Sequence, residues 1–117
     1  ILGLPGETEA DVRATLELVK YLGGKRAVIF PIFFEPLSVD QPRFTVDNMT
    51  SDHLELYRTC YEINFKMVPR LFWDNQRAGG VGWVKRAALR ALGTTEVAAW
   101  RSTFKKIGRE IRERENV

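Results

Sequence analysis

The hexapeptide Gly3-Leu4-Pro5-Gly6-Glu7-Thr8 concentrates backbone freedom and a carboxylate at one turn. Gly3 and Gly6 let main chain approach a ligand closely, and a turn at the carboxyl end of a parallel strand is where α/β folds bind substrates and cofactors. The alternative is local: Pro5 and Gly6 make a tight connection while Glu7 and Thr8 open a helix. Elsewhere the available chemistry is narrow. Cys60 is the only cysteine and His53 the only histidine. No internal disulfide and no multi-cysteine or multi-histidine metal site can therefore form from this chain alone, and a Ser/His or Cys/His catalytic pair is disfavoured. Cys60 reads as a small buried hydrophobe rather than a reactive thiol, and the lone thiol points to a reducing, cytoplasmic compartment.

Cations gather late in the chain. Residues 1–50 carry 5 basic and 7 acidic side chains, and residues 51–117 carry 13 and 8, so the sign changes near the loop at 38–50. Arg77, Lys85, Arg86, Arg90, Arg101, Lys105, Lys106, Arg109 and Arg112 face only Glu96 and Glu110 over the same stretch. Such helices can hold RNA, DNA or an anionic membrane surface. The favoured reading is a solvated face whose long stems cover apolar surface, with the alternating signs of residues 109–115 forming helix-face ion pairs. Tyr57, Tyr61, Phe65, Phe72, Trp73, Trp83, Trp100 and Phe104 read as core positions in preference to a substrate channel. Gly79, Gly80 and Gly82 permit a flexible or closely packed lid, but GGVG lacks dinucleotide-binding spacing.

The elements that would position these residues follow from periodicity. With 117 residues, 44% hydrophobic and 28% charged, the chain suits one compact globular domain, and no apolar run approaches the ~20 residues of a membrane span. Ile1 to Leu4 reads as the end of a buried strand in an internal fragment, not as a signal peptide. Thr8 and Asp11 have capping-box spacing, and Val12, Leu16, Val19 and Leu22 give a helix from about Glu9 to Leu22, stopped by left-handed Gly23-Gly24. Ala27 to Phe34 is an apolar run of strand length, completing a right-handed βαβ unit. Residues 35–48 form a loop. A long helix starts at Thr50 or Ser51 and kinks or restarts at Pro69. Asp74 to Gly82 is a break, Trp83 to Leu92 a short helix ended by Gly93, and Thr94 opens a last helix that frays over RERENV. The expected division is 1–37, a linker at 38–50, and a helical region at 51–117.

The segment ILGLPGETEADVRATLELVKYL, followed by AVIFPIFFEPL, resembles the later part of radical S-adenosylmethionine barrels. There a strand ends in G-L-P-G-E/Q-T, a helix begins with acidic residues, and the next strand carries F-P-x-x-x-x-P. The likeness covers roughly residues 1–37. It implies an α/β fragment, predominantly helical: one βαβ unit from a partial TIM-like barrel, then an α-helical C-terminal region. It places Ile1, Leu2 and Gly3 near the adenine of S-adenosylmethionine, with further contacts from the backbone of Phe30, Pro31 and Ile32. The parent would be an iron-sulfur enzyme using S-adenosylmethionine and a [4Fe-4S] cluster, and in cobalamin-associated members also cobalamin. The CxxxCxxC loop that holds such a cluster is missing, and SVDQP stands where P-G-T is common. The chain alone is thus expected to carry no catalytic residue, metal or cofactor and to be inactive. Its implied partners are the remainder of the parent barrel, or a second copy through the cut strand edges. The alternative is a basic helical binding module for RNA or a protein, with nucleic acid not favoured.

Overall fold

The computed structural model describes residues 1–116. Three helices carry the chain, α1 (Glu9–Leu22), α2 (Ser51–Ala78) and α3 (Trp83–Glu115), with a 3-10 turn at Val46–Asn48. Among the described residues there is no sheet, only an isolated parallel bridge between Leu2 and Phe33. The expected α/β fragment with a βαβ unit is therefore corrected to a helical fold in which α1 and α3 both pack on α2.

The reason lies in the residues of the second supposed strand. Leu2 N–H donates to the Ile32 carbonyl at 2.8 Å and Phe34 N–H to the Leu2 carbonyl at 2.7 Å. Pro31, just before Ile32, has no N–H with which to build a ladder on the other edge of this segment. Ile29 turns both backbone groups to the side chain of Asn64 on α2: its N–H donates to Oδ1 at 2.8 Å, and Nδ2 donates to its carbonyl at 2.7 Å. A buried asparagine thus stands where a neighbouring strand would pair. Phe30 and Ile32 remain 72% and 61% exposed, so this apolar run is covered on one face only.

Helix α1 forms over the anticipated residues. Thr8 N–H donates to Asp11 Oδ2 at 2.8 Å and Asp11 N–H to Thr8 Oγ1 at 3.2 Å, completing the capping box. Val12, Leu16 and Val19 then pack with Leu2, Leu56 and Cys60. Gly23 ends α1 with φ −62°, not in the left-handed region. Its small size matters instead, because an added Cβ would lie 2.9 Å from Ile63 Cδ1.

Met49, Leu54, Phe104 and Ile111 form a second core cluster, and Phe33, Phe44 and Tyr57 touch both clusters. Tyr57 stacks on Tyr61 at 4.9 Å, and Tyr61 meets Trp100 at 4.9 Å and Phe104 at 5.3 Å. Helix α2 runs on through Pro69, and α3 is one helix through Gly93 rather than two. Thr94 Oγ1 donates back to the Arg90 carbonyl at 3.1 Å, a mid-helix bond instead of a cap. Gly79 to Gly82 is a tight helix-to-helix turn with Gly80 at φ 78°, not a lid. The end of α3 is pinned: Glu115 accepts from Ser51 N–H and Oγ, and Arg114 donates to the Met49 carbonyl. The remainder of the expected fraying, Val117, lies outside the described residues.

Burial is lopsided along the hairpin. No residue of α2 after Met67, and none of α3 before Phe104, is buried. The radius of gyration is 17.2 Å, against about 13 Å for a compact chain of this length. The outer halves of α2 and α3 therefore project from the core as an arm.

Candidate functional site

The six residues singled out beside the GLPGET word gather around the lone bridge. Ile32 accepts the Leu2 N–H, while Ile1, Phe30 and Ile32 expose their side chains and Leu2 is buried. Gly3 has φ 80°, and a Cβ there would fall 2.0 Å from Phe44 Cγ. The close approach that Gly3 allows is thus taken by the chain's own phenylalanine.

Glu7 has a structural partner that sequence spacing does not reveal. Its carboxylate accepts the Gly3 N–H at 3.1 Å and faces His53 Nε2 at 2.6 Å. Thr50 N–H, which can only donate, points at His53 Nδ1 at 3.1 Å. Nδ1 is therefore the acceptor, and Nε2 carries the proton it gives to Glu7. Phe44 covers the imidazole at 4.9 Å between ring centroids. Both ring nitrogens are thus engaged in holding the GLPGET turn onto the start of α2. The visible signal was Thr50-x-x-His53, a capping box with histidine in the usual acidic position. Cys60 is buried, and burial pushes its thiol up, away from the reactive thiolate. Among the described residues, no group of three or more histidine, cysteine, aspartate or glutamate side chains is placed to hold a metal ion.

A large concavity lies elsewhere, between the outer halves of α2 and α3. It encloses about 1250 Å³ and opens to solvent along one side. That exceeds the ~300–1,000 Å³ of ordinary small-molecule pockets. From α2, Arg58, Glu62, Lys66 and Arg70 recur every fourth residue and form one row along the wall. From α3 come Arg86, Arg90 and Arg101, and the floor includes Ile63, Phe72, Leu89, Leu92 and Val97.

Charge in this cleft is unbalanced. Glu62 binds Arg101 through two hydrogen bonds of 2.9 and 2.8 Å, and that bonding holds the Glu62 carboxyl below its usual range. Among the described residues, Arg58, Lys66, Arg70, Arg86 and Arg90 form no ion pair. Arg86 stacks on Trp73 at 4.4 Å and Arg90 approaches the same ring at 5.9 Å. Arg86 Nε is buried without a hydrogen-bond partner. A buried donor left unsatisfied costs about 1–3 kcal/mol, more when charged. Of these residues, Arg86, Arg90 and Arg101 belong to the basic stretch recognised in the sequence. Arg58, Lys66 and Arg70 were missed, although their four-residue spacing was there to read.

The likeness to radical S-adenosylmethionine barrels is not sustained. The βαβ unit it implied does not form, and GLPGET is accounted for locally by Phe44 against Gly3, Glu7 with His53, and Thr8 as helix cap. Comparison of the chain with protein-family models, with curated proteins and with solved structures finds no match.

Proposed function

We propose that this chain is a helical binding module that docks an anionic macromolecular partner in the cleft between the outer halves of α2 and α3. The observation that carries this reading is the set of cations along an open, partly apolar cleft that find no counterion among the described residues, with Arg86 holding a buried donor free. Opposite charge in a partner would speed encounter and fix its register, while the apolar floor supplies area to bury. The lone, buried Cys60 suits work in a reducing, cytoplasmic setting. Among the described residues no helix is long and apolar enough to cross a membrane.

The reading is tested by titrating poly-L-glutamate, a generic anionic polypeptide, into the isotopically labelled chain at about 0.05 M salt and repeating at about 0.2 M. Amide shifts should centre on α2 from Arg58 to Trp73 and α3 from Arg86 to Arg101, and shrink at the higher salt. Shifts centred on Lys105, Lys106 and Arg109, or none at low salt, contradict it.

A further inference from the structure

Resting on that reading, we infer that the partner presents an amphipathic α-helix, with an apolar face flanked by aspartate or glutamate, which lies lengthwise in the cleft as a third helix of the arm. Both walls have matching length. Arg58 to Trp73 and Arg86 to Arg101 each run 16 residues within one helix, or about 24 Å at 1.5 Å per residue. A partner helix of some four turns fits that span.

The lining distinguishes a helix from a nucleic-acid strand. Leu92 is 68% exposed, and Val68 and Phe72 are each 43% exposed. The aliphatic Leu92 and Val68 stack no bases, whereas an apolar helix face with anchors at i, i+3, i+4 and i+7 buries them. Trp73 in the cleft already has Arg86 over its ring. Of the carboxylates in the lining, Glu62 is neutralised by Arg101, and Glu96 forms no ion pair among the described residues. A continuous phosphate track would be repelled at Glu96, while a helix sets its acidic residues at discrete positions and can avoid it. The unpaired cations then select the sign of the flanking residues.

The test uses four fluorescent probes against the whole chain, read by anisotropy. The first is a synthetic peptide of about 16 residues with leucine at i, i+3, i+4 and i+7 and glutamate flanks. The second replaces glutamate by lysine, the third replaces leucine by serine, and the fourth is single-stranded uridine RNA. The first should bind at least about tenfold tighter than each of the others. Leu92→Glu, an exposed position whose replacement leaves circular dichroism unchanged, should weaken the first peptide by about tenfold or more.

Several results would overturn the inference. The serine peptide binding as well as the leucine peptide would remove the apolar face, and RNA binding best would replace the helix by a nucleic acid, while both would leave a cationic docking cleft standing. Concentration-dependent dimerisation that blocks the peptide would make a second copy the occupant. If no anionic probe binds, including poly-L-glutamate, the docking function falls with the inference.

Discussion

At the scale of single residues, the Glu7–His53 pair is the contact that ties the first turn to α2. The side chains are 14% and 10% exposed, and the imidazole serves Glu7 on one side and the Thr50 amide on the other. Removing one partner strands the other away from water. Glu7→Ala should therefore destabilise the fold by about 1–3 kcal/mol in urea unfolding, and Glu7→Gln, which keeps an acceptor for Nε2 and Gly3, by clearly less. An unchanged midpoint for Glu7→Ala would show that the contact is dispensable. Cys60 offers a pH test of opposite character. Burial raises its thiol above the ordinary range, so the folded state retains the proton while the unfolded chain loses it from about pH 8.5 upward. The stability linked to that proton is present below the unfolded value and declines as pH rises toward the folded one. Cys60→Ala should flatten the alkaline loss of stability relative to the parent, at the cost of a small cavity. An identical alkaline slope in both proteins would contradict the burial argument.

At the scale of elements, the sequence was most legible where the information is local. Thr8 and Asp11 lie three residues apart, and the cap they specify forms. It was least legible where a residue far along the chain decides the outcome. Ala27 to Phe34 has the composition of a strand, yet Asn64, some 35 residues away, takes the backbone of Ile29, and Pro31 cannot extend a ladder. The pairing of Glu7 with His53 crosses 46 residues and was equally hidden. Gly93 misled for another reason: glycine lowers helix propensity without forbidding the helix, and α3 continues because nothing in its surroundings requires a turn. Since a Cβ at Gly93 would meet no atom within 4 Å, Gly93→Ala should stabilise the chain by about 0.5–1 kcal/mol. A drop in thermal midpoint would show that α3 breaks there. Gly80→Ala should act in the reverse direction, since φ 78° in the hairpin turn is strained for any residue with a Cβ.

The two long helices are also joined by ions whose sign can be worked out. Glu62 is held below its usual range chiefly by its hydrogen bonds to Arg101, and Glu115 by those from Ser51. Both contribute stability above the unfolded carboxyl value of about 4.3, and that contribution disappears as pH falls through their lower folded values. Because the groups are largely solvated, the effect per pair is small. Acid titration of Glu62→Gln should show a shallower loss of stability below about pH 4 than the parent; a parallel curve would place the acid sensitivity elsewhere.

At the scale of the whole molecule, the chain divides into a core where α1, α2 and the end of α3 meet and an arm with no buried residue. The extents of 52 × 31 × 25 Å express that division. A basic bias was readable from composition, but its useful part was not. Several of the counted cations sit away from the cleft, and three that line it precede the basic stretch. Only the fold brings Arg58, Lys66 and Arg70 of α2 into one cleft with Arg86 and Arg90 of α3. Under the proposed function, position in this cleft, rather than net charge, governs partner binding. Two double charge reversals separate these: Arg86→Glu with Arg90→Glu inside the cleft, and Lys105→Glu with Lys106→Glu outside it, which alter net charge equally. With helicity verified for both, poly-L-glutamate affinity should fall by at least about tenfold for the cleft pair and by less than about twofold for the outer pair. Equal losses for the two pairs would contradict the account.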